Sequence, residues 1–177
     1  MTTLGWLRFK WDLRALPAEE SNVPPPFILR GAEKGERDTV ETVVSNAFGM
    51  DTGWSDIQRM FVTVIVRNVH AGFASDPPDC IVIQHGHRII AASVVNSQDG
   101  VENHLSTGPC VLHEYRGRGL GTSLFRTSLA ALREAGLSRA YGISREKSAA
   151  ARFLYPRFGG VGSRWTPDFE VAQRIAA

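Results

Sequence analysis

Apolar and polar residues alternate strictly over residues 5–16, GWLRFKWDLRAL. Leu7, Phe9, Trp11 and Leu13 fall on one side and Arg8, Lys10, Asp12 and Arg14 on the other. A period of two predicts a half-buried strand. AEESNVPPP then breaks the pattern, because consecutive prolines cannot join a ladder and favour an extended linker. Phe27–Arg30 predicts a short strand. From about Arg37 the period becomes helical, with Val40, Val43, Val44, Ala47 and Phe48 on one stripe. Ser55-Asp56-Ile57-Gln58 fits a capping box, and Ile57, Met60, Phe61, Val64 and Ile65 continue a second helix that SDPPD ends.

Cys80–Gln84 and Arg88–Val95 are β-branched runs around His85-Gly86-His87, which predicts a hairpin. SQDG makes a further turn before a strand expected over about Asn103–Leu112. A third helix presents Leu120, Leu124, Phe125, Leu129 and Leu132, with Gly136 as its C′ residue. Arg139–Ser144 is strand-like, Ser148 is placed to cap a helix over AAARFLY, Pro156 stops it, and Val161–Trp165 predicts a last strand. The order is that of a mixed α/β (α+β) domain.

At 177 residues the chain is long enough to bury a real core. No window approaches the ~18 apolar residues of a membrane span, so no membrane association is expected. MTTLGWLRFKWDLRALPAEE carries charges where a signal peptide has its apolar stretch, which points to a cytoplasmic protein. Cys80 and Cys110 form no metal-ligand pattern; buried reduced thiols and no metal are expected. Net charge is +2, yet between Arg116 and Arg157 nine basic residues face only Glu134 and Glu146, a local +7. A compact basic segment in a mildly acidic remainder suits a small polyanion better than a nucleic-acid track.

That segment opens with HEYRGRGLGTSLF, residues 113–125. A strand, a glycine-rich turn and a helix make an anion cradle, because the first helical N–H groups lack intrahelical acceptors and the helix dipole favours negative charge there. Arg116 and Arg118 add donors. The dinucleotide spacing G-x-G-x-x-G would need glycine where Thr122 stands, and the Walker spacing fails for want of a lysine. A nucleotide-phosphate protein of another fold is therefore the weakest reading.

Val111-Leu112-His113-Glu114-Tyr115-Arg116-Gly117-Arg118-Gly119-Leu120-Gly121 resembles the acetyl-CoA signature of the GNAT superfamily of N-acetyltransferases, V-x-P-E-Y-R-G-x-G-[IL]-G. Ser148-Ala149-Ala150-Ala151-Arg152-Phe153-Leu154-Tyr155, followed by Phe158-Gly159, resembles the family's second block, N-x-x-A-x-x-[FL]-Y-x-x-x-G-F. His113, Ser148 and Gly160 stand where the family usually has proline, asparagine and phenylalanine. The resemblance implies a mostly antiparallel central sheet flanked by helices over residues 27–177. Residues 1–26 are then an N-terminal extension, a strand plus a proline-rich linker. That extra strand is expected to supply edge pairing, within the chain or across a homodimer.

The resemblance further implies acetyl transfer from acetyl-CoA to a primary amine, on a small molecule or a peptide. The cofactor would meet Val111, Leu112, Arg116, Gly117, Arg118, Gly119, Leu120, Gly121, Thr122, Ser148 and Tyr155. Tyr155 matches the tyrosine near the sulfur, where a phenol can protonate a leaving thiolate. His104 and Glu102, with His113 behind them, are candidates for the base, and Asp51, Trp54 and Asp56 for meeting the amine. Gly108-Pro109 fits either a bulged, splayed strand or a simple strand start. The competing functional class is a non-catalytic acyl-CoA-binding regulatory module that keeps the cradle and lacks turnover.

Overall fold

The computed structural model describes residues 5–167 apart from residues 19, 21 and 56. Asp56, and with it part of the capping-box pattern, lies outside the described residues. Among the described residues, seven strands and three α-helices follow in the order β1 (Trp6–Asp12), β2 (Phe27–Gly31), α1 (Arg37–Gly49), α2 (Gln58–Gly72), β3 (Cys80–His85), β4 (Arg88–Val94), β5 (Cys110–Val111), α3 (Leu120–Glu134), β6 (Arg139–Arg145) and β7 (Val161–Trp165). The strands form two antiparallel sheets, β2-β3-β4-β5 and β6-β1-β7.

The first sheet is the middle layer of a sandwich of helices. Ser93 of β4 meets Ser128 of α3 through its hydroxyl (2.9 Å). The next residue, Val94, lies so close to Gly72 of α2 that a Cβ there would run into it. Successive strand residues point to opposite faces, so α3 covers one face and α2 the other. The α3 stripe Leu120, Leu124, Phe125, Leu129 and Leu132 is buried as its period requires. Gly136, at φ +98°, ends that helix, with Leu137 N–H donating to Leu132 O (3.2 Å).

In the second sheet β1 takes a place that its own sequence does not announce. It is the middle strand, pairing Trp6–Asp12 with Arg145–Arg139 on one side and Trp6–Lys10 with Trp165–Val161 on the other. It thus fills a slot rather than adding an edge, and does so within one chain. Trp11 and Leu13 are fully buried and Phe9 nearly so. Three glycines make room for these rings. A Cβ on Gly142 would stand 3.0 Å from the Trp11 indole, one on Gly160 2.7 Å from its Nε1, and one on Gly162 3.0 Å from Phe9. Trp6 points the other way, into a cluster with Trp54, Phe61 and Trp165 (centroids 5.6–5.9 Å).

Several elements are shorter than the sequence pattern predicts. β1 ends at Asp12, whose carboxylate caps a 3-10 turn by accepting from Arg14 N–H (3.0 Å). α2 starts at Gln58 with no side-chain cap at Ile57. AAARFLY forms a π-turn, Ala150–Leu154, rather than an α-helix; such turns concentrate at functional sites.

Both cysteines are buried and unbridged, and burial pushes each thiol from about 9 up to about 12. Unfolded thiols ionise near 9 while the folded ones stay neutral. The contribution is therefore complete below pH 9 and is lost as pH rises towards 12. The urea midpoint is expected to hold between pH 7 and 8.5 and to fall steadily at higher pH; replacing both residues by alanine is expected to flatten the decline.

Candidate active site

β5 and β6 face each other without pairing, and a cleft of about 440 Å³ lies between them. The sequence predicts a strand from Asn103 to Leu112, but only Cys110–Val111 forms one. Gly108 has φ +66°, and Pro109 has no N–H to give. The ladder bond is replaced by a side chain: Val94 N–H donates to Thr107 Oγ1 (3.0 Å). Cys110 pairs with Ala92 while Thr107 N–H donates to Val94 O (3.3 Å), so the chain bulges by one residue at Gly108-Pro109, and β5 starts directly after Pro109, in keeping with both readings.

His104 pins the closed end of the gap. Its N–H donates to Tyr141 O (2.8 Å), and its Nδ1 accepts from Tyr141 N–H (3.0 Å). One residue thus satisfies both outward backbone groups of Tyr141. Beyond that pin the strands diverge. Leu112 N–H donates to Ile90 O (3.0 Å), so strand alternation turns the backbone of Val111 into the gap. On the facing wall the same alternation, counted from Tyr141, turns Ile143 into it.

At the open end the glycine turn meets the cleft. Gly117 and Gly119 adopt φ +74° and +77°, a region only glycine enters without strain. α3 begins at Leu120, and its first turn is closed by Ser123 N–H donating to Gly119 O (3.1 Å). The N–H groups of Leu120, Gly121 and Thr122 have no acceptor inside the helix. All three residues, with Gly117 and Gly119, line the cleft.

The two arginines of the turn are placed differently, and of the two only Arg116 lines the cleft. Arg116 is exposed, and its guanidinium donates to Val111 O (3.1 Å) and to Ala47 O (2.9 Å) in the last turn of α1. It fastens the turn to β5 and to the negative end of a helix dipole. Arg118 is exposed, lies over the Tyr115 ring at 5.7 Å and does not line the cleft. Leu112 is also absent from the lining, because its C=O accepts from Tyr115 N–H (2.9 Å) and its N–H is used by β4.

Arg116→Gln is expected to lose charge-assisted bonds worth about 2 kcal/mol of stability, measured by urea denaturation.

Tyr155 is buried at the inner part of the cleft wall. Its hydroxyl would stand 2.9 Å from a Cβ on Gly108, so the glycine in the bulge leaves room for it. Burial raises the phenol well above its usual range. Ser148 also lines the cleft. Its hydroxyl accepts from Ala151 N–H (3.1 Å), which caps the π-turn as its sequence position predicts, and shares a 2.7 Å bond with Ser144.

The residues considered as bases lie elsewhere. His104 is buried away from the lining, with Nδ1 committed to the backbone and its protonation disfavoured by burial. Glu102 is exposed and meets Arg8 only through its carbonyl (3.1 Å). His113 is exposed outside the cleft. Asp51 is the acidic side chain that lines it; one carboxylate oxygen accepts from Gly53 N–H (2.9 Å). Trp54 lines the wall beside Phe48 and Phe61 (centroids 4.9 and 4.6 Å). No group of three or more His, Cys, Asp or Glu among the described residues could hold a metal, and no described helix is long and apolar enough to cross a membrane.

Residues 76–159 match the family model of the acetyltransferase (GNAT) domain. That span runs from before β3 to the glycine after the last turn, and contains the bulge, the glycine turn and Tyr155. This part of the chain is similar to a GNAT acetyltransferase domain. Its fold is similar to that of a GCN5-related N-acetyltransferase from Sphaerobacter thermophilus, with a TM-score of 0.64 at 14% identity over 91% of this chain and 49% of that one. A GNAT-family acetyltransferase structure from Novosphingobium aromaticivorans gives a TM-score of 0.55 at 18% identity, over 92% of this chain and 62% of that one. The chain thus spans about half the length of the first of these structures. No curated protein matches it.

Set against the motifs of that family, the departures in this sequence have local reasons. Gly160 stands where phenylalanine is usual, and the Trp11 indole of β1 occupies the space its side chain would need. At Ser148 the hydroxyl is spent on the Ala151 N–H and on Ser144. His113 opens a 3-10 turn, His113–Tyr115, and needs no proline to do so.

Proposed function

We propose that this chain is an N-acetyltransferase that transfers an acetyl group from acetyl-CoA to a primary amine by direct attack in a ternary complex. One observation carries the reading: a single cleft runs between unpaired strands from the N-terminus of α3 to Tyr155. The residues present suit CoA. Its pyrophosphate would be held by the N–H groups of Gly119–Thr122, and its pantetheine arm would extend along the backbones of Val111 and Ile143. Bound there, acetyl-CoA supplies an activated acyl group as a thioester.

The chain's own groups have three tasks. Val111 N–H is a fixed donor for charge developing on the acyl oxygen, and one such donor contributes about 3 kcal/mol in the transition state. Tyr155 O–H holds a proton for the departing sulfur, and its raised pKa keeps that proton in place at neutral pH. Asp51, flanked by the apolar wall of Phe48, Trp54 and Phe61, draws in the ammonium form of the acceptor. The amine then loses its proton to water, since neither His104 nor Glu102 reaches the cleft.

Release of CoA thiol over a panel of primary amines tests the reading. Amine-dependent release is expected, and binding of CoA without release across the panel would favour the regulatory module. Asp51→Asn keeps a cap for Gly53 and removes the charge. It is expected to raise KM for the amine about tenfold while leaving the CoA dissociation constant unchanged.

A further inference from the structure

Three aromatic rings enclose Tyr155, and two of them come from β1. Phe9 lies 5.2 Å from it at 72°, Trp11 5.1 Å at 89°, and Phe125 of α3 4.9 Å at 34°. Trp11 also holds the backbone of the same residue, its Nε1–H donating to Tyr155 O (3.4 Å). It grips Tyr155 at both ends, ring and carbonyl.

The grip matters because Tyr155 stands where the backbone is irregular. It follows the π-turn, with its N–H donating to Ala150 O (2.8 Å), and precedes the 3-10 turn Pro156–Phe158. No regular helix fixes its direction. Trp11 is itself immobile: it is fully buried, stands edge-on to Phe125 at 5.4 Å, and fits the space left by Gly142 and Gly160. On the far side, the hydroxyl faces the bulge at Gly108.

We propose that Trp11 is a positioning residue for the Tyr155 hydroxyl, so that β1 belongs to the catalytic apparatus as well as to the core. This rests on Tyr155 acting at the sulfur. A proton donor displaced by about 1 Å can lose two orders of magnitude in rate, and a T-shaped contact with a clamped indole opposes that displacement. The same enclosure keeps water from the phenol and so keeps it protonated.

The experiment is a double-mutant cycle between Trp11→Phe and Tyr155→Phe, read by thiol release, CoA titration and the pH profile of kcat. In the parent, Trp11→Phe is expected to lower kcat about tenfold, to leave the CoA dissociation constant unchanged, and to move the alkaline limb of the profile to lower pH. In the Tyr155→Phe background it is expected to do nothing further. An equal loss in both backgrounds, or an unmoved alkaline limb, would overturn the proposal. If Trp11→Phe also abolishes CoA binding, Phe9→Leu, which touches the same ring from the same strand, replaces it under the same expectations. If Tyr155→Phe alone leaves turnover intact, it is the role of Tyr155 that fails.

Discussion

Removing residues 1–12 is expected to leave a chain with no cooperative thermal transition and no CoA binding. β1 lies between β6 and β7, and among the described residues β7 pairs with no other strand, so the truncation dissolves a whole sheet. The lost burial of Trp6, Phe9 and Trp11, at about 1.5–3 kcal/mol each, comes to roughly 5–9 kcal/mol before any ladder bonds are counted. The total stability of a domain is about 5–15 kcal/mol. Gly142, Gly160 and Gly162 cannot compensate, having no side chains to close the slot. Calorimetry and circular dichroism of the truncated and full chains decide the matter. A sharp transition near that of the parent would show that β1 only decorates the fold.

Tyr155→Phe is expected to lower kcat by about two orders of magnitude, the lower range for a lost general acid, with CoA affinity unchanged. The substitution keeps the ring against Phe9, Trp11 and Phe125, so the thermal midpoint should not fall. Because burial raises the phenol, kcat of the parent should be sustained up to and beyond the ordinary tyrosine pKa of about 10 before it declines. Steady-state kinetics from pH 7 to 10.5 would show the lower rate of the variant and the sustained rate of the parent; a variant as fast as its parent would take the hydroxyl out of the chemistry.

What the sequence reveals and what it hides divide along the range of the forces involved. The stripes of α1 and α3, the hairpin at Gly86 and the glycine turn at 117–121 depend on neighbours a few residues away, and the pattern displays them directly. The register between Ser148 and Tyr155 places the second motif for the same reason. The pairing of β1 is different. Alternation marks it as a strand, but its partners lie beyond residue 138, and no local rule names them. The strand expected at Asn103–Leu112 gives way because Thr107 substitutes a hydroxyl for a ladder bond, which composition does not show. Arg116 reads as a phosphate ligand by charge and adjacency; only the three-dimensional position of Ala47 and Val111 reveals that carbonyls claim it. His104 misleads in the same way, since its imidazole completes the edge of β6.

The slot between β6 and β7 also sets an order of events during synthesis. β1 leaves the ribosome before the other described strands, yet neither strand that receives it exists until almost the whole described chain has been made. At about 5–20 residues per second, a strand bearing Trp6, Phe9 and Trp11 waits on the order of ten seconds or more with its apolar face uncovered. The glycine turn and its helix can form long before that, and so can the bulge. Tyr155 cannot be seated until β1 docks against β6. A nascent chain arrested before β6 would therefore hold the glycine turn and its helix and still lack both strands that receive β1.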